Sequence, residues 1–480
     1  MARAALTAEA TPTPIGSELF TEGRLRKVTS PFDGSVVGAV CHPTAPMIEL
    51  ALRRASEAVP QLAAMSAWER SERLSRIASR LDDQRDQLAE LIVAEAGKPI
   101  RDARAEASRA VYVFRWAAEE AKRWGGEWTP LDTEQGFRRS GGLIRRFPVG
   151  PLLAITPFNF PLSLVAHKVA PALAVGNPVI IKPSERTPLT AIHLAHLLLE
   201  EDWPAGAISV LVLDGPDTAN LAADASIRAV SFTGSEPVGW RLRSALPRKH
   251  MTLELGGNAA ALVEPDADMA HAARRLCFGA FAYAGQVCIS TQRVLVANER
   301  YDEFLEAFID RVDELVCGDP SSEQTDVGPL ISAEAAERVS EWVGEARAGG
   351  ACVLAGGDGE PPMLAPTVLT EVRHSARCWS EEVFGPVAVI EPYRSFEEGI
   401  ELANSTRFGL QAAVFTERLD RVMQAHERLE CGAVIVNDAP FFRAVHMPYG
   451  GSKDSGAGRE GVRWAMDAMS EPRLLALPLP

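Results

Sequence analysis

From Pro151 onward the chain alternates short β-rich runs with helical stretches, and that rhythm leaves few folds open. The strand candidates are "LLAIT", "PVIIKP", "ISVLVL" and "AVSFTG". Between them lie "PLSLVAHKVAPALAVG", "TPLTAIHLAHLLLEED" and "TANLAADAS". Strand, helix, strand at this spacing predicts a parallel sheet covered by helices. Ligands on such sheets sit beyond the carboxyl ends of the strands. After Gly257 a second α/β series begins, with "AALVEP", "RVLVA", "PTVLT", "VAVIEPY", "AAVFT" and "GAVIVN" as strands. There "DMAHAARRLCFGAFAYAG" reads as a helix leading into the loop that carries Cys288. The 480 residues exceed the roughly 250–300 at which one hydrophobic core stops growing, so two or more domains are expected.

From Pro46 to about Arg123 apolar residues recur three and four apart with charges between them, which predicts helices. Gly97 and Pro99 punctuate one helix end, and another helix is expected from Arg101 to Arg123. The stretch "WGGEWTPLDTEQGFRRSGGLIRRFPVG" reads as an extended hairpin. The tail "EPRLLALPLP" reads as one edge strand, and the glycine cluster at 355–362 as a surface loop. Met1 to Pro14 reads as a frayed tail without a secretory signal.

The formal charge of −15 repels phosphate backbones and anionic lipid, so no nucleic-acid or membrane partner is expected. The seven cysteines, at 41, 277, 288, 317, 352, 378 and 431, form no CxxC pair, and the nine histidines form no HExxH. No metal site is expected, and the pattern suits a reducing cytoplasm where a free thiol survives.

The strongest chemical constellation is Glu254-Leu255-Gly256-Gly257-Asn258 followed, 34 positions beyond Glu254, by Cys288 in Gly285-Gln286-Val287-Cys288. The thiolate is the reactive form of cysteine, and a nearby carboxylate is a proton acceptor. Any single cysteine is otherwise a small buried hydrophobe. Thr156-Pro157-Phe158-Asn159-Phe160-Pro161 sits between a strand and a helix. An Asn there offers its amide to an oxyanion, or makes a turn or cap. Lys182, Ser184 and Glu185 end another strand; the lysine suits a ribose hydroxyl, and the glutamate repels a phosphate. Phe232-Thr233-Gly234-Ser235 opens a helix, which suits a phosphate at its N-terminus. No GxGxxG follows any strand candidate.

Together TPFNFP, KPSE, FTGS, ELGG, GQVC, EEVFGP and PYGGSKDSGAGRE, in this order from about residue 20 to the C-terminus, closely resemble the aldehyde dehydrogenase superfamily. The look is closest to its lactaldehyde, phosphonoacetaldehyde and non-phosphorylating glyceraldehyde-3-phosphate dehydrogenases. The resemblance implies an α/β fold with a Rossmann-like cofactor domain (1–122 and 145–256), an α/β catalytic domain (257–455) and a small β oligomerisation element (123–144 and 463–480). It implies a homodimer or homotetramer. Cys288 then matches the nucleophile, Glu254 the base that activates water, and Asn159 the oxyanion donor. Lys182 and Glu185 match contacts to the adenosine ribose, Ser184 a cofactor-lining position between them, and Ser235 a pyrophosphate contact. Glu382 and Phe384 match the nicotinamide-ribose side, while Thr156, Pro157, Phe158, Gly215, Phe232, Thr233, Gly234, Leu255 and Gly256 fall at cofactor-lining positions. Glu460 matches an architectural position.

The implied reaction oxidises an aldehyde to a carboxylic acid through a Cys288 thiohemiacetal and a thioester that water hydrolyses. A CoA-acylating enzyme is the rival, and it typically lacks the base found here as Glu254. A non-catalytic protein on the same fold is the other. NAD is expected, with NADP possible, because Glu185 crowds a 2′-phosphate with like charge. Phe160, Val287, Ile289 and Phe442, with Phe441, would line an apolar or aromatic substrate tunnel. Against that, Arg109 and Arg443 would reach an acidic group.

Overall fold

The computed structural model describes residues 9–479. After four short strands, Thr13–Ile15, Glu18–Phe20, Arg24–Thr29 and Val36–His42, come four helices: Ala45–Ala64, Ala67–Asp83, Arg85–Ala96 and Ile100–Arg123. Their boundaries follow from local chemistry. Ser66 caps the second, its Oγ accepting from the Glu69 N–H at 3.2 Å while Glu69 accepts from the Ser66 N–H at 2.7 Å. The third stops at Gly97, whose left-handed φ of 66° carries the chain out of the helix. The fourth buries Ala103, Ala107, Ala110, Val111, Phe114, Ala117, Ala118 and Ala121, a stripe three and four residues apart.

Two buried glutamates on this helical layer reach the layer beneath. Glu95 accepts from the backbone N–H groups of Leu189 and Thr190 at 2.8 and 3.0 Å. Glu106 accepts from those of Leu162 and Ser163 at 2.9 and 3.0 Å. Each carboxylate thus satisfies the orphan donors at the start of a buried helix, Leu189–Leu199 and Ser163–Val175 respectively.

Those two helices pack on the first sheet. Its parallel centre runs Ile208–Val210, Val179–Lys182, Leu152–Ile155, Ala229–Thr233, His250–Glu254. The strand order reverses between Leu152–Ile155 and Ala229–Thr233, which opens a crevice at their carboxyl ends. Register puts Lys182 beside Ile155, Ile155 beside Phe232, and Thr233 beside Glu254. The motifs that follow these strands therefore emerge at one end of the sheet. The second sheet runs Cys352–Ala355, Thr367–Thr370, Val387–Tyr393, Thr291–Ala297, Ala259–Val263, Gln411–Phe415, Ala433–Val436. All its pairs are parallel except the first. Leu255–Asn258 passes from one sheet to the other.

A third, antiparallel sheet joins Glu127–Pro130, Ser140–Pro148 and Ser470–Pro478. The hairpin and the edge strand expected from the sequence both form. Residues 463–468, placed with the tail, belong instead to the helix Val462–Ala468. Trp128, Leu474 and Leu475 of this sheet are each more than half exposed. The expected frayed tail also needs correcting. Residues 1–8 lie outside the described ones, but Thr13–Ile15 is a buried strand paired with Glu18–Phe20 and Ile208–Val210. Pro14 is tolerated there because the strand is short and lies near the sheet edge. No helix among the described residues is long and apolar enough to cross a membrane.

Candidate active site

Both α/β sheets contribute to one cavity of about 300 Å³, lined by Asn159, Glu254, Cys288, Glu382 and Tyr449 among others. Cys288 lies in the loop between a short 3-10 turn, Ala282–Gly285, and the strand Thr291–Ala297. Tyr283, Ala284 and Gly285 all have φ between 48° and 68°, a left-handed run that turns the chain toward the first sheet. Asn159 crosses to meet it, donating from Nδ2 to the Gln286 carbonyl at 2.9 Å. One amide hydrogen of Asn159 remains for the cavity. A Cβ on Gly257 would lie 2.2 Å from the Cys288 carbonyl oxygen, so only glycine admits this approach. At Gly256 a Cβ would lie 2.3 Å from Glu382 Oε2.

The electrostatics are those of a dry site. Burial pushes the Cys288 thiol up to about 12, and the Tyr449 hydroxyl, 3.0 Å from Sγ, opposes that rise. Neither oxygen of Glu254 has a hydrogen-bond partner among the described residues. Burial, then the charge of Glu460, raises Glu254 well above the usual carboxylate range. Glu382 is pushed up to about 7 by burial, although the Gly257 N–H donates to it at 3.0 Å. Behind the cavity Glu460 bridges Lys168 at 2.6 Å and Arg443 at 3.1 Å, in an almost sealed position.

Aromatic and apolar side chains form the other wall: Phe158, Phe160, Val287, Ile289 and Phe441. Phe442, expected there, is 48% exposed and lines no part of the cavity; its neighbour Phe441 takes the place. Arg109 and Arg443 both line the cavity. Arg443 stacks over the Tyr449 ring at 3.7 Å and is ion-paired with Glu460. Arg109 has no hydrogen-bond or ion-pair partner among the described residues, and burial pulls it down to about 10, still a cation at neutral pH.

A second cavity of about 610 Å³ adjoins the first and shares Pro157, Phe158, Thr233 and Gly234 with it. Thr156, Phe232, Lys182, Ser184, Glu185, Arg26 and Arg186 line it. Ser235 and Gly234 line the first cavity, where the helix Glu236–Ala245 begins. The hydroxyls of Thr156 and Thr233 are buried without hydrogen-bond partners among the described residues. Dinucleotide-sized space, orphaned hydroxyls and an uncapped helix N-terminus together fit NAD or NADP. Leu255 and Gly256 line the first cavity, and Phe384 packs edge-on against Phe158 at 5.9 Å. Gly215 opens the helix Gly215–Ala223 and lines neither cavity. Glu185 does not present a bare charge, since Arg26 forms an ion pair with it.

Sequence reasoning missed Tyr449, Arg26, Arg338 and Ser163. Tyr449 stood in a quoted motif but carried no assigned role. Among the described residues one group, His42, Asp214 and Asp217, comes within metal-holding distance. Asp217 lies 3.4 Å from His42 Nε2, and Asp214 already caps the helix Gly215–Ala223.

Two covered α/β sheets meeting at a dinucleotide crevice, with a cysteine, a carboxylate and an asparagine facing one cavity, define an oxidoreductase of the aldehyde dehydrogenase type. The chain belongs to the aldehyde dehydrogenase family, whose profile matches residues 20–475. It is 42% identical over 415 residues to the 3-sulfolactaldehyde dehydrogenase of Priestia megaterium, covering 86% of this chain and 87% of that protein. The structure of aldehyde dehydrogenase 21 from Physcomitrella patens, in complex with the reaction product succinate, superposes with a TM-score of 0.97 at 39% identity, over 98% of this chain and 99% of that one. Glyceraldehyde-3-phosphate dehydrogenase from Methanocaldococcus jannaschii, complexed with NADP, gives 0.92 at 35% identity, over 96% and 100%. This protein is accordingly an NAD(P)-dependent enzyme that oxidises an aldehyde to its acid.

Proposed function

We propose that the substrate is a short aldehyde with an anionic group at its far end, oxidised by covalent catalysis at Cys288. The observation that carries the anionic end is Arg109: a guanidinium with no ion-pair partner among the described residues, in the same aromatic-walled cavity as the thiol. A partly buried cation without an ion-pair partner favours a ligand that supplies one. The names of the three relatives support the reading, since their compounds end in a sulfonate, a carboxylate and a phosphate.

Cys288 Sγ forms a bond to the carbonyl carbon, and negative charge moves to the oxygen. The Asn159 amide and the Cys288 backbone N–H serve as donors to that oxygen. When bound, the nicotinamide supplies the hydride acceptor. Lys182, Ser184 and Glu185 hold the adenosine end, Ser235 the pyrophosphate, and Glu382 with Phe384 the nicotinamide-ribose end. Glu254, without a hydrogen-bond partner among the described residues, takes a proton from water, whose oxygen attacks the thioester carbon. The carbon–sulfur bond breaks and the thiol is restored. Covalent catalysis divides one hard oxidation into two easier halves.

Residues 1–122 and 145–256 act as the cofactor domain and 257–455 as the catalytic domain. The element of 123–144 with 463–480 mediates assembly into a homodimer or homotetramer, which the exposed Trp128, Leu474 and Leu475 of its sheet support. Seven free thiols support a cytoplasmic setting.

The test is initial-rate kinetics on short aldehydes ending in carboxylate, sulfonate or phosphate, against neutral aldehydes of the same length, with and without CoA. Anionic substrates are expected to lead in kcat/KM by at least about ten-fold, without CoA. Equal or better turnover of the neutral set would overturn the anionic reading.

A further inference from the structure

A buried thiol is a poor nucleophile unless something stabilises its thiolate. Four ionisable groups bear on Cys288: Tyr449, Glu382, Arg443 and Glu254. Arg109 and Arg338 also line the cavity. The two carboxylates work against a thiolate, and Glu254 makes no hydrogen bond to it. The hydrogen-bond partner of Sγ is the Tyr449 hydroxyl, at 3.0 Å. Behind the phenol, the Arg443 guanidinium lies 3.7 Å from the ring centre, and Glu460 holds it there at 3.1 Å. A cation over the ring face makes a phenol a better donor.

We propose that Tyr449, backed by Arg443, is the hydrogen-bond donor that stabilises the Cys288 thiolate and so sets the pH at which the nucleophile forms. The Sγ–H bond breaks and its proton leaves through the cavity to solvent. The Tyr449 O–H bond stays intact, with its hydrogen turned toward the sulfur. When the sulfur–carbon bond forms, charge passes to the carbonyl oxygen and the donor is released. The tyrosine therefore favours the free thiolate over the thiol and holds the attacking atom in the cavity.

This inference rests on Cys288 being the nucleophile, so its test reads the thiol and not turnover. The enzyme is treated with iodoacetamide between pH 6 and 10, and labelling of the Cys288 peptide is followed by mass spectrometry. Tyr449→Phe should move the midpoint upward by about one pH unit, making labelling below the midpoint about ten-fold slower. The melting temperature and cofactor affinity of the variant check that the fold survives. Replacing Tyr449 by 3-fluorotyrosine, a more acidic phenol of nearly the same shape, should move the midpoint downward. Labelling profiles that superimpose for all three proteins overturn the proposal. If they superimpose while Cys288→Ala is inactive, the tyrosine role falls and the nucleophile stands. A fully active Cys288→Ala removes both.

Discussion

Gly257 lies directly against the backbone of Cys288, so close that a methyl group there would meet the Cys288 carbonyl oxygen at 2.2 Å. Backbone cannot yield as a flexible side chain does. Gly257→Ala should therefore displace the Cys288 loop, costing roughly 1–3 kcal/mol of stability. A lower denaturation midpoint and at least ten-fold lower kcat are expected; native-like values for both would show that the loop has room to move.

Glu254 is buried with no hydrogen-bond partner among the described residues, which makes it a strong base that deprotonates late. Its raised pKa means that acidification protonates it well before an ordinary carboxylate. Thioester hydrolysis should slow as pH falls and quicken as pH rises through that raised value. Glu254→Gln should give one burst of NAD(P)H and then stall, with no rising limb. Unchanged steady turnover would point to another base.

Arg109 lines the cavity with no ion-pair partner among the described residues. Arg109→Met should raise KM for anionic aldehydes ten- to a hundred-fold, about 1.4–2.7 kcal/mol of binding. Neutral aldehydes should be unaffected or improved. A parallel loss on both classes would assign Arg109 to the wall's architecture.

Arg26 neutralises the glutamate that would repel a 2′-phosphate. Arg26→Ala should weaken NADP binding relative to NAD by about ten-fold, read as dissociation constants from tryptophan quenching and not as turnover. An unchanged NADP/NAD ratio would show that Glu185 never faces that phosphate.

The two largely parallel sheets were legible because their strands are short continuous apolar runs bounded by turn residues, and most candidates begin or end within a residue or two of the observed strands. The motif residues were legible as a family pattern and not as geometry. Cys288 and Glu254 are named readily from the sequence, yet their burial depends on which strand ends lie side by side. Tyr449 is 161 positions from Cys288, and Arg26 is 159 from Glu185. No local periodicity links residues so far apart. Thr13–Ile15 was hidden for another reason: three residues with a proline at their centre carry almost no strand signal, and only the neighbouring Ile208–Val210 makes them one.

The solitary guanidinium of Arg109 has a practical consequence for handling the protein. An anion bound beside that charge would supply the ion-pair partner that it lacks among the described residues. Sulfate, phosphate or a short dicarboxylate in the buffer will occupy that end as weak inhibitors and, by mass action, raise the temperature of denaturation. If the anionic reading holds, rates measured in such buffers should understate the enzyme, and preparations stored in them should outlast those kept in chloride.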